Sequence, residues 1–192
     1  MLSSKAVALS VLILAVPATA VGQRIHTLVR SGELAGLERL LSCDADLVHA
    51  TDSTGATPLH VAAALGHADA ATLLLARGAD PNAADARGLT PLHLAAGGLH
   101  AAVVDELLTA AADPMARPAS HWPSPTDLAF LAETYRGGTA VTAMLLAAGG
   151  SLTPDGYPGV PIPRILMAEL AGNLEMIELL RRQHSTISAA MR

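Results

Sequence analysis

Apolar positions recur along the middle of the chain in short segments with helical spacing, separated by brief polar stretches. The segment 57–67 reads TPLHVAAALGH, and the apolar run 71–75 follows it before Gly78. Thr57 can cap a helix start, and the proline after it suits the first helical position, where no N–H is missed. Gly78 can take the left-handed backbone that ends a helix. The pattern therefore predicts a pair of short helices.

This helix pair is repeated along the chain. The segment 90–100 reads TPLHLAAGGLH, an offset of 33 residues, and each copy is preceded by an Asp-x-x-Gly turn, 52–55 and 85–88. Prolines at 58, 91, 125 and 163 recur at intervals of 33, 34 and 38 residues. Since one pair cannot bury its own apolar face, the pairs must stack. The predicted domain is 21–192, with units 24–51, 52–84, 85–117, 118–152 and 153–184 and a frayed tail at 185–192.

The two TPLH blocks, their offset and their flanking turns resemble the ankyrin repeat. The resemblance implies an all-α solenoid of about five helix pairs with degenerate terminal caps. It also implies that a protein partner binds the turn tips and the exposed face of the first helices. Arg87 and Trp122 are the preferred anchors of that surface, although Trp122 could instead pack under the loop before Pro163. The implied contact positions are Ser53, Thr54, Ala56, Ala64, Leu65, Ala86, Arg87, Leu89, Gly97, Ser120, His121 and Trp122.

Composition narrows the function. Hydrophobic residues make up 51% of the chain and aromatic residues 2%, which predicts a folded core of Ala, Leu, Val and Ile and favours close-packed helices. The single cysteine, Cys43, excludes an internal disulfide and a cysteine-based zinc site. A net charge of −5 without a dense basic stripe argues against nucleic acid and anionic membrane surfaces as partners. The protein is expected to be monomeric.

The first twenty residues have the features of a secretory signal peptide. Lys5 gives a positive start, 6–16 is a mostly apolar run, and 18–20 supplies small residues for cleavage after Ala20. The apolar run is too short to span a bilayer, which takes about 20 residues, and it ends at Pro17. We expect a periplasmic or secreted protein with no stable membrane insertion after cleavage.

Candidate chemistry is sparse. His60 and His93 belong to the TPLH blocks, and their repetition predicts hydrogen bonds to backbone or hydroxyl groups in place of metal ligation. The chain carries no phosphate-binding, dinucleotide-binding or nucleophile motif, so no cofactor, metal site or catalytic residue is expected. Cys43 is interpreted as a half-buried small apolar residue, with a redox-sensing thiol as the alternative.

Two local departures from the repeat and one turn between helices also stand out. Ala111 replaces the glycine that ends the second helix, which predicts a remodelled turn because alanine tolerates positive φ poorly. Four residues are inserted around 135–139. Gly97 and Gly98 are interpreted as part of a turn between helices.

The resulting prediction is a non-enzymatic interaction module exported to the periplasm. It would act as a supporter of a periplasmic enzyme or as an immunity protein that neutralises a toxin. The alternative is a small periplasmic enzyme or redox protein that uses His121 or Cys43.

Overall fold

The computed structural model describes residues 18–118, 123–152 and 164–190. Within these ranges the chain is helical and contains no strand, as predicted. Ser120, His121 and Trp122 lie outside the described residues. A short 3-10 helix spans Ala45–His49. The α-helices are α1 Ala18–Ser31, α2 Leu34–Cys43, α3 Pro58–Leu65, α4 Ala68–Ala76, α5 Pro91–Gly98, α6 Ala101–Thr109, α7 Pro125–Arg136, α8 Ala140–Ala147, α9 Arg164–Leu170 and α10 Leu174–Ala190.

The helices form five pairs that stack in two rows. The first helices pack in the order α1, α3, α5 and α7, and the second helices in the order α2, α4, α6 and α8. Ala62, Ala63, Ala95 and Ala96 are fully buried between neighbouring first helices. Their small side chains allow close helix approach, which confirms the predicted solenoid and the contact role of alanine.

The helix ends follow the predicted chemistry except at one turn. Gly78 ends its pair with φ of +88°. Ala111 takes the equivalent place with φ of +63°, and its N–H donates to Leu108 as the Gly78 N–H donates to Leu75, each at 3.0 Å. The predicted remodelling of this turn is therefore wrong, because alanine adopts the left-handed backbone in place of glycine.

The insertion in the fourth unit lengthens a helix. Helix α7 has 12 residues, against 8 in α3 and in α5. Its added turn includes Glu133, whose buried carboxylate accepts hydrogen bonds from the N–H groups of Val141 at 2.7 Å and Thr142 at 3.0 Å. These are the free amides at the start of α8, so a side chain of α7 caps the partner helix.

The last pair closes the stack with a second small core. Phe130, Ala168 and Met176 are buried together, and the Arg164 guanidinium lies 2.7 Å from Asp127. Helix α10 continues to Ala190, so the predicted tail is wrong for residues 185–190, which are helical.

Helix α1 begins at Ala18, so the expected cleavage point after Ala20 falls in its first turn. Residues 1–17 of the expected signal peptide lie outside the described residues. Over the residues that the structure does describe, no helix is both long and apolar enough to cross a membrane.

Candidate functional site

The turns that precede α3 and α5, hereafter fingers 52–56 and 85–89, are held by aspartate side chains. Asp52 Oδ1 accepts the N–H groups of Thr54 at 2.8 Å and Ala56 at 3.1 Å. Asp85 Oδ1 accepts in the same way from Arg87 and Leu89. These bonds fix the turn geometry of each finger, and each is made by the aspartate of the Asp-x-x-Gly turn.

The two finger aspartates are also ionised. Burial raises the pKa of each carboxyl, but hydrogen bonds oppose it: those from Thr54 and Ala56 at Asp52, and those from Leu89 and Arg87 at Asp85. The pKa of both groups consequently lies below its ordinary value.

Buried histidines tie the first two units to the fingers that follow them. His60 Nδ1 accepts the Thr57 N–H at 3.1 Å within a capping box, which leaves the proton on Nε2 to be donated to Leu89 O at 3.0 Å. His26 Nε2 lies 2.9 Å from Ala56 O, one unit earlier. The fingers also bond directly, since the Ala86 N–H donates to Thr54 O at 3.0 Å. The structural interpretation of the TPLH histidine at 60 is confirmed.

Burial sets the protonation of these histidines. Desolvation lowers the pKa of His60, and it lowers the pKa of His93 to about 4. Both side chains are about 1% exposed, so at neutral pH they are uncharged hydrogen-bonding groups. No role was assigned to His26 from the sequence, although its position 34 residues before His60 indicates that it belongs to the same series.

The predicted contact positions lie mostly on one surface. Ser53, Thr54, Ala86 and Arg87 are exposed at the finger tips, Ala64 and Leu65 are exposed at the end of α3, and Ala56 and Gly97 are half-buried. Leu89 is the exception. Its side chain is 3% exposed and packs in the interior, so it is corrected here from a contact residue to a core residue.

Arg87 presents its charge outward while one carboxylate anchors it. Its side chain is 60% exposed, and Nη2 lies 3.3 Å from Oδ2 of the buried Asp85. The second preferred anchor, Trp122, lies outside the described residues, as do Ser120 and His121, so their predicted contacts stay predictions.

The exposed side of the first helices continues the surface beyond the predicted residues. Gly32 and Gly66 both end a first helix with φ near +70°, and this equivalence aligns Arg30 of α1 with Ala64 of α3. Along α7, the exposed Tyr135 and Arg136 extend the same stripe by one turn. We call fingers 52–56 and 85–89, together with the exposed sides of α1, α3, α5 and α7, the inner face.

Of the two residues named for the chemical alternatives, the structure describes only Cys43, because His121 lies outside the described residues. Cys43 is exposed at the end of α2, so its interpretation as a half-buried apolar residue is wrong. In the described part of the chain no group of three or more His, Cys, Asp or Glu side chains is arranged to hold a metal ion.

Comparison with known proteins identifies the repeat. A family model described as ankyrin repeats (3 copies) matches residues 25–118. Protein phosphatase 1 regulatory subunit 27 of Mus musculus is 42% identical over 59 residues, which cover 31% of this chain and 38% of the mouse protein. The chain thus spans well under half the length of that relative. The matched copies coincide with the first three helix pairs of the stack, so residues 25–118 form ankyrin repeats.

Proposed function

We propose that this chain is a non-enzymatic module that is exported and that holds a protein partner on its inner face. The observation that carries the proposal is a row of small, exposed or half-exposed positions on adjacent first helices, Ala64, Gly97 and Gly98, flanked by finger tips. Small side chains on this row leave room for a partner to approach the helices closely.

The inner face is organised before any partner arrives. Each described finger is fixed by its own aspartate, by a histidine from the preceding unit and, between 54 and 86, by a backbone hydrogen bond. A surface that is already ordered loses little conformational entropy on binding. This supports recognition of a folded or extended protein segment by a rigid face.

Export and a supporting role rest on other observations. Lys5, the apolar run 6–16 and the small residues at 18–20 support secretion to the periplasm or beyond. The mouse relative carries the name of a regulatory subunit, and a regulatory subunit acts through another protein. Both fit a supporter of a periplasmic enzyme or an immunity protein that neutralises a toxin.

A neutral steric block tests the binding face. A Cβ at Gly97 would meet no atom within 4 Å, so Gly97→Gln adds bulk to the inner face without disturbing the fold. Ala102→Gln adds the same side chain on the exposed side of α6 and is the matched control. Proteins captured from periplasmic extract by the chain should be lost with Gly97→Gln and retained with Ala102→Gln. Equal capture by the two variants would place binding elsewhere.

The exposed thiol favours one other candidate, a redox protein that uses Cys43. Cys43→Ser separates the two functions. Under the binding proposal this variant keeps the cellular phenotype of the native chain and its partner capture, whereas under the redox alternative the phenotype is lost while capture persists.

A further inference from the structure

Charge is segregated between the two helix rows. Helices α1, α3 and α5 contain no Asp or Glu, and the two carboxylates of α7, Asp127 and Glu133, are buried. The second helices α2, α4 and α6 carry exposed acids, among them Glu38, Asp69 and Asp105. The net charge of −5 is therefore concentrated away from the inner face.

Exposed arginines occupy the inner face. Arg30 lies on α1 at the position equivalent to Ala64, and Arg136 lies at the end of the added turn of α7. Arg87 projects from a finger. Arg24 lies seven residues before Ser31, about two helical turns, so these two residues lie on the same side of α1. These four cations are spread over three units, with two on α1, one on a finger and one on α7, so they frame the small-residue row on several sides.

The acids that do occur near the inner face are engaged or peripheral. Asp85 is buried beneath Arg87, and Asp52 accepts three hydrogen bonds from its own finger. Glu169 is exposed on α9, in the terminal pair and outside the inner face. Over the described residues of α1, α3, α5 and α7, exposed charge is thus positive.

We propose, resting on the function proposed above, that the inner face selects an acidic segment of its protein partner. Carboxylates of such a segment would reach Arg30, Arg87 and Arg136 at the edges, while its backbone lies over Ala64 and Gly97. Leu65, 44% exposed, and Tyr135, 69% exposed, supply apolar contacts between these charges. The row of second helices, hereafter the outer row, carries more exposed acids than arginines over α2, α4, α6 and α8. It therefore repels the same segment and directs it to the inner face.

A protein segment fits this face better than a nucleic acid does. Phosphate backbones need a continuous basic stripe, whereas the arginines here are separated by Ala, Gly, Leu and Tyr. Arginine and tyrosine among small apolar residues are the side chains that anchor protein interfaces.

Selection from a phage-displayed library of random 12-residue peptides tests the proposal with the purified full chain. The selected peptides should be enriched in Asp and Glu. Their affinity should fall about tenfold in the double variant Arg30→Glu with Arg136→Glu, and also when NaCl is raised from about 0.05 M to about 0.5 M. The matched control, Arg39→Glu with Arg181→Glu, reverses two exposed charges of the outer row and should change the affinity less than about twofold.

The outcomes separate this inference from the proposed function. Neutral or basic selected peptides, or equal effects of the two double variants, would overturn the preference for acidic segments. If Gly97→Gln still abolished peptide binding, the inner face would remain the binding site. If Gly97→Gln had no effect either, both proposals would fail. Binding of a 12-nucleotide single-stranded DNA as tight as that of the peptides would overturn the inference in favour of polyanions in general.

Discussion

Two equivalent turns with different residues offer a reciprocal test of backbone strain. Ala111 and Gly78 follow the second helices of adjacent units, both with positive φ and with the same hydrogen bond to the helix end. The left-handed backbone costs a residue with a Cβ about 1 to 2 kcal/mol. Glycine has more conformational freedom than alanine in the unfolded chain, which lowers the free energy of unfolding by about 0.4 to 1 kcal/mol and offsets part of the gain from removing that strain. Ala111→Gly should therefore raise the free energy of unfolding by about 0.5 to 1 kcal/mol.

The reverse substitution should do the opposite. A Cβ at Gly78 meets no atom within 4 Å, so Gly78→Ala should destabilise by about 0.5 to 1 kcal/mol through the backbone alone. Gly97→Ala is the control, because Gly97 lies inside α5 with open space around it and should gain about 0.5 to 1 kcal/mol. Urea unfolding followed by circular dichroism at 222 nm measures all three. A loss of stability in Ala111→Gly, or a gain in Gly78→Ala, would refute the strain argument.

Three further predictions concern buried groups. Glu133→Gln loses a charged acceptor at the start of α8 and should cost about 2 kcal/mol by urea unfolding, whereas Glu38→Gln on the exposed outer row should cost under about 0.5 kcal/mol. His93 has a pKa of about 4 when folded and 6.5 as its ordinary value, so between these values the unfolded chain binds more protons. The free energy of unfolding should then fall by up to about 3 kcal/mol as the pH drops through this range, and His93→Gln should reduce the fall in urea midpoints between pH 7 and pH 4. Leu74→Ala, at a side chain with 0% exposure, should cost about 2 to 5 kcal/mol in thermal unfolding, against under about 1 kcal/mol for Thr54→Ala at a finger tip.

The repeated elements could be predicted because local chemistry determines them. Capping by Thr57 and His60, the proline that follows the cap and the glycine at the helix end all act within a few residues. The helix pairs and their stacking followed from these signals and from burial of the alanine face. Glu133, in contrast, acts on amides eight and nine residues away, and Arg164 pairs with an aspartate 37 residues away. Both depend on the inserted turn and the last pair, where the repeat pattern weakens.

The end of α5, the first helix of the third unit, shows a second reason why a prediction from the sequence was wrong. Gly97 and Gly98 were expected in a turn, but α5 runs through both, and Leu99 takes the left-handed position with φ of +60°. A Cβ at Gly98 would lie 2.6 Å from the His100 ring. Glycine at this position therefore makes room for a neighbouring side chain, and a pattern of glycines alone does not distinguish that use from a turn.

Contact positions that a repeat family implies cannot be assigned to this chain by sequence position alone, because a side chain in a finger can point either outward or into the core. Leu89 belongs to a finger, yet the Asp85 carboxylate draws the Leu89 N–H inward and the side chain enters the core. Arg30, Tyr135 and Arg136 were not among the expected contacts, because α1 lacks the TPLH signal and the added turn of α7 has no counterpart in the other units. Together with Arg24, which also lies on α1, these departures from the repeat carry three of the four exposed arginines of the inner face. Since the shared positions are mainly small and uncharged, the proposed preference for an acidic partner depends on the residues that the repeat does not specify.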